Sequence, residues 1–332
     1  MLEVKPTRYN VTNQLPPQIM NNKILHITNG DKTTISLKSF GFKGRFITWR
    51  EILGEGKTST DIGSEDFWKT RFNFLKSSYK ITKKTFIDYT LKEYRNLCIN
   101  KNQEEIVLWF DYDLLSQINL IAIISWLKRY RKHEKISLVN VNNSKLTALK
   151  KISELNSNQV NRKYLKRIEL TADDIEYADY MWQLYCSNCP LRLETIYKYN
   201  PMSPFIYLSK AFEMHLKRFP SVENGLNFLE NHVVNFASKK SLISKKQLAE
   251  KLLKNLESYG LQVHHYNYKI ERLKILFKSF NPLIINSVGK NVLDNKQNVY
   301  KQLRCENAYL GGAKQYNYLY QNSSTKLIKI SY

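Results

Sequence analysis

KILHITNGD, Lys23 to Asp31, is the stretch whose reading decides the fold. A short apolar run ends in Asn29-Gly30-Asp31, and helix-forming residues follow. Apolar runs of this length bounded by turn residues read as strands. In an open parallel sheet the turn after a strand is where ligands sit, and a helix amino terminus there favours anions. A second acidic turn closes EIVLWFDYD, Glu105 to Asp113. The two turns are expected side by side at the carboxyl edge of one sheet.

Outward from Asp31, Thr33 to Phe40 reads as a short helix and Arg45 to Trp49 (RFITW) as a second strand. The polar stretch Gly54 to Asp66 lacks the glycine–lysine spacing of a phosphate loop and is predicted as a surface loop or a lid. Helices are predicted over Phe67–Ser77 and Lys83–Ile99. A third strand follows at Glu105–Phe110, then a long helix at Leu114–Tyr130 and a fourth strand at Ile136–Val141. Strands alternating with helices imply a parallel sheet with right-handed crossovers, a three-layer Rossmann- or flavodoxin-like α/β fold.

After Lys145 the strand pattern stops. Leu146–Lys166 reads as a linker or a short helix, and Thr171 with Asp174 resembles a capping box opening a helix to Tyr185. Further helices are predicted near 189–199, 204–218, 222–237, 244–258 and 267–279, and short strands at 282–287, 290–293, 316–321 and 326–331. The expected layout is a lead-in segment (1–22), an α/β domain (23–145) and a mainly helical domain with a small terminal β element (146–332), winged-helix-like at its end.

The chain has 332 residues, 42% of them hydrophobic, enough for about two cored domains at roughly 150 residues each. Its net charge is +23, with 52 Lys and Arg against 29 Asp and Glu. That excess points to a polyanion such as nucleic acid, or to a lysine-rich coding bias with no partner behind it. Lys239, Lys240, Lys245 and Lys246 would face nucleic acid if the helices near them form a winged helix. Four scattered cysteines exclude a disulfide scaffold. Cys186-x-x-Cys189 has no second pair for zinc and follows a helix, which argues against a redox role. No signal core opens the chain, and no run reaches the roughly 18 apolar residues of a span, so a cytoplasmic protein without membrane contact is expected.

LHITNGD (25–31), WREILGEG (49–56), LWFDYD (108–113) with Gln117, and RFPSVENGL (218–226) with Glu230 together resemble bacterial proteins carrying the domain of unknown function 1835. The resemblance spans most of the chain. It implies the domain layout and no settled activity.

Several residue types fit chemistry at the sheet edge. Gly30 permits a positive φ and close approach of backbone N–H groups to a phosphate or carboxylate. Asn29 and Asp31 flank it, and Asp31 either meets a ribose hydroxyl or a metal, or caps the next helix. Arg50 and Glu51 end the second strand and are expected at the same ligand-binding edge, where Arg50 reads as an anion clamp, or else the two form a surface pair. Asp111 and Asp113 suit Mg²⁺ or a general acid–base pair with Gln117 beside them, or else a helix cap and a lysine partner. His26, inside an apolar strand, reads as a core histidine. The leading expectation is a sensor or regulator that binds a phosphorylated or nucleotide-like molecule. The alternatives are a Mg²⁺-dependent enzyme acting on a nucleotide by phosphoryl or glycosyl transfer, and a non-catalytic interaction module.

Overall fold

The computed structural model describes residues 23–140, 149–196, 203–239 and 244–330. The expected lead-in segment, Val141 and Lys240 lie outside these.

The amino-terminal half builds a five-stranded sheet in the order β2-β1-β4-β5-β6. Its strands are β1 (Ile24–Asn29), β2 (Arg45–Trp49), β4 (Glu105–Trp109), β5 (Lys135–Leu138) and β6 (Ile168–Glu169). The first four run parallel, and β6 is antiparallel to β5. The period of two along each strand explains why both faces are apolar. Leu25, Ile27, Ile106 and Leu108 enter the large core on one face. Ile24, Phe46, Val107 and Trp109 enter a smaller core on the other. His26 lies fully buried among the latter, bridging Trp109 Nε1–H and the Lys43 carbonyl; burial lowers its pKa to about 4.

Helix α1 (Asp31–Ser39) covers the smaller face. Helix α5 (Leu114–Tyr130) crosses the larger one and is buried all round from Leu114 to Leu127. Helix α2 (Glu65–Tyr79) follows the two-residue strand β3 (Gly56–Lys57). Short α3 (Lys83–Phe86) and α4 (Lys92–Ile99) are joined by a π turn, and α4 packs on β2.

The sheet takes β6 from residues past 145, and one apolar core runs through both halves of the chain. Between β5 and β6 lies α6 (Ser157–Leu165). Helix α7 (Ala172–Tyr185), opened by the Thr171–Asp174 capping box, packs on α5, as does α9 (Leu208–Leu216) after the single turn α8 (Leu193–Ile196). Then come α10 (Phe228–Lys239), α11 (Lys245–Asn255), α12 (Val263–Arg272) and the antiparallel pair β7 (Phe277–Phe280) and β8 (Leu283–Ile285). Helix α13 (Ser287–Leu293), α14 (Tyr300–Leu303), β9 (Tyr309–Gly311), β10 (Ala313–Lys314), β11 (Tyr318–Gln321) and β12 (Lys326–Lys329) end the fold.

Three expectations are corrected here. Residues 290–293 are helical, because Asn286 caps α13 by accepting the Gly289 N–H at 2.9 Å. The helix expected to start at 222 starts at Phe228, because Asn227 and Glu230 exchange capping bonds and 221–225 form a turn. The loop after Gly54 is no exposed lid over its first residues. β3 pairs in parallel with β9, and Gly54, Glu55, Gly56 and Thr58 are buried.

Candidate functional site

The chain leaves β1 for β2 on one side and returns to β4 on the other. The loops after β1 and β4 therefore diverge, and such a switch point opens a crevice at the carboxyl edge of the sheet. A cavity of about 730 Å³ lies there. Asn29-Gly30-Asp31 and the start of α1 form one wall, and Asp111, Asp113 and Ser116 another. Lys151, Ser153 and Glu154 close a third side. Leu253, Glu257, Gly260 and Gln262, from the α11–α12 junction, form the far wall.

Gly30 sits at φ 98° with open space where a side chain would stand. The Asn29 amide is used structurally: it donates to Ser116 Oγ at 2.8 Å and accepts from Asn119 at 2.8 Å, tying β1 to α5. Asp31 holds a two-handed bond with Arg50, its shortest contact 2.7 Å.

Three predicted site residues stand outside the crevice. Arg50 is turned to Asp31 and the Tyr89 carbonyl (3.0 Å), with Glu93 at 3.8 Å, so its fork is already filled. Glu51 is buried and pairs with fully buried Arg71 at 2.9 Å. Gln117 is buried and donates to the Asp111 carbonyl at 2.8 Å.

The two aspartates differ in use. Asp113 caps α5: one oxygen accepts the Ser116 N–H at 2.9 Å and the other accepts its hydroxyl at 3.0 Å. Gly260, at φ 72°, packs so closely on this carboxylate that a Cβ there would lie 2.0 Å from Oδ1. Asp111 Oδ1 accepts the Ile152 N–H at 2.8 Å. Its Oδ2 has no partner among the described residues. Burial, and then the charge of Asp113, push the Asp111 pKa up to about 7, and burial also raises Asp113. Two carboxyl groups this close and this dry do not both ionise freely near neutral pH.

This donor set does not fit a Mg²⁺ ion held by the protein alone. Asp113 is spent on its cap, and among the described residues no three His, Cys, Asp or Glu side chains are grouped so that they could hold a metal ion. What the arrangement offers is a carboxyl group that can give or take one proton near pH 7.

Sequence reading missed Lys151 to Glu154 and Leu253 to Gln262. Both reach the crevice from far along the chain, and no local pattern marks such a return. Of the lysines, Lys239 and Lys246 are exposed, while Lys245 pairs with Glu271. All four cysteines are free. Among the described residues no helix is long and apolar enough to cross a membrane. Compared with models of known families and with curated proteins, the chain matches none.

Proposed function

We propose that the chain is a sensor: it binds a small nucleoside- or nucleotide-like molecule in the crevice between β1 and β4 and passes its occupancy to the carboxyl-terminal helices. One observation supports this reading above the others. The crevice lies at the switch point of the sheet, and its far wall is the junction of α11 and α12. A ligand there touches the sheet edge and two helices at once.

The lining shapes the ligand class. Asp31, Asp111, Asp113, Glu154 and Glu257 line the crevice together with Lys32 and Lys151. An acidic lining favours hydroxyl and amino donors, as on a ribose and a base, and leaves room for about one phosphate near the lysines and the α1 amino terminus. The readout would be a contact of the carboxyl-terminal region with nucleic acid or a protein. The order α10, α11, α12 and the β7–β8 hairpin is that of a winged helix, and exposed Lys239 and Lys246 suit phosphate contacts. Membership of the family of domain of unknown function 1835 is part of this proposal and rests on the order of the short motifs.

A second reading is supported by Asp111: a carboxyl group titrating near 7 with one free oxygen suits a general acid or base acting on a nucleotide.

A thermal-shift screen of nucleosides and nucleoside monophosphates at pH 6 and pH 8 tests the proposal. A ligand at about a hundred times its Kd stabilises the fold by roughly 2.7 kcal/mol. We expect a hit that binds more tightly at pH 8, where Asp111 is ionised, and that loses this pH dependence in Asp111→Asn. A blank screen, or a hit indifferent to the substitution, sinks the reading. Turnover of the hit by the wild type would replace the sensor with the enzyme.

A further inference from the structure

A second cavity, of about 510 Å³, lies between α2, β3, α12 and the segment leading into β9. We propose that it binds a small organic oxyanion, a phosphate monoester or carboxylate carried on an aromatic or apolar body.

The charge balance points there first. Lys57, Arg218, Lys269 and Arg272 line the cavity against two carboxylates, Glu55 and Glu230. Glu55 is committed: Arg218 holds it at 2.6 Å and Lys269 at 3.0 Å. Burial pushes its pKa up, but Lys269 and Arg218 outweigh that and hold it at about 2, so it stays ionised and still leaves one positive charge over. Glu230 gives an oxygen to the Asn227 N–H, and burial raises its pKa.

Arg272 is left over. It is half-buried, yet its guanidinium makes no hydrogen bond and no ion pair among the described residues. Glu230 and Tyr316 act on its charge only through space, so its hydrogen-bonding fork stays open, and that planar fork matches a carboxylate or phosphate with two parallel bonds. Lys57 stands over the Tyr309 ring, 5.1 Å from its centroid, with an ammonium that can turn to the same anion. Phe74, Leu229 and Leu310 give the cavity an apolar wall for the body of the ligand.

Isothermal titration with phenyl phosphate, benzoate and inorganic phosphate tests it on the full chain. We expect saturable one-site binding, with phenyl phosphate or benzoate tighter than inorganic phosphate. The tighter of the two assigns a phosphate monoester or a carboxylate. Arg272→Met should weaken binding about tenfold or more, and Lys57→Met by about three- to tenfold, as charge-assisted bonds are lost. Lys57 is exposed, so its variant tests the site even if Arg272→Met folds poorly. Binding should survive in Asp111→Asn, which alters only the first crevice. No saturable binding of any probe by the wild type, binding intact in Lys57→Met and Arg272→Met, or binding lost in Asp111→Asn would each overturn the proposal.

Discussion

The two cavities carry opposite charge, and one buried carboxylate in each, Asp111 in the first and Glu55 in the second, shifts the opposite way. Asp111 has a second carboxylate two residues away and no ion-pair partner among the described residues, and its pKa rises to about 7. Glu55, just as buried, sits between two cations and falls to about 2. Burial pushes both up, so the number of cations within ion-pair distance decides the sign. The first cavity can therefore store a proton near neutral pH, and the second keeps a fixed positive excess. The segment Glu51 to Lys57 starts at the end of β2, buried against Arg71, and lines the second cavity at its end.

The largest expected effect comes from cutting what holds that segment. Arg71, fully buried on α2, bonds Glu51 and the carbonyls of Ile52, Glu55 and Lys57 at 2.8 to 3.1 Å. Arg71→Met leaves the Glu51 charge buried and unpaired, which costs about 3–5 kcal/mol. Urea denaturation should show the loss. A loss under about 1 kcal/mol would mean that Glu51 is readily neutralised or hydrated, and that the segment does not depend on the pair.

Next is the proton at Asp111. Its folded pKa lies above the ordinary carboxylate value, so ionisation costs stability. The stability is fully present below about pH 4 and is lost as pH rises through 7. From pH 5 to pH 8 this group should cost the wild type about 3 kcal/mol. Asp111→Asn keeps an oxygen for the Ile152 N–H and should flatten that part of the profile of Tm against pH. Parallel profiles would mean that the pair is ionised throughout, and the contrast between the cavities would collapse.

The same contrast explains what the sequence made legible. Strands β1, β2 and β4 were readable because their apolar runs are short, β-branched and bounded by turns, and the two acidic turns met at one crevice because the strand–helix order demands a switch point. Helix α5 was readable end to end. The second cavity was not, because its walls come from residues 55–57, 70–78, 218–230, 268–272 and 305–315, whose meeting depends on tertiary packing. Arg50 and Glu51 were misread for a related reason. Adjacent charges at a strand end point to opposite sides, one to Asp31 and one to Arg71. One local signal was present for Arg71. It occupies the apolar row Phe67, Arg71, Leu75 at four-residue spacing, and a charge in such a row has to find a buried partner.

The smallest effect on stability separates scaffold from site. The Asp31–Arg50 pair spans 2.7 Å, but the Asp31 side chain is 54% exposed, and exposed pairs contribute about 0.2–1 kcal/mol. Asp31→Ala should therefore shift the urea midpoint little, much less than Arg71→Met. Its effect on the crevice should be larger in proportion. It removes a carboxylate from the lining and frees the Arg50 fork, which makes the amino terminus of α1 more attractive to anions. If the crevice takes a ligand through hydroxyl donors, as proposed, Asp31→Ala weakens a nucleoside in the thermal-shift screen while the fold stays intact. If the variant instead tightens a nucleoside monophosphate and leaves the bare nucleoside unchanged, Asp31 acts against anions and its carboxylate is no ribose contact. A wild-type response to both ligands would show that Asp31 serves only its bond to Arg50, and the recognition would then rest on Asp111 and the wall from Leu253 to Gln262.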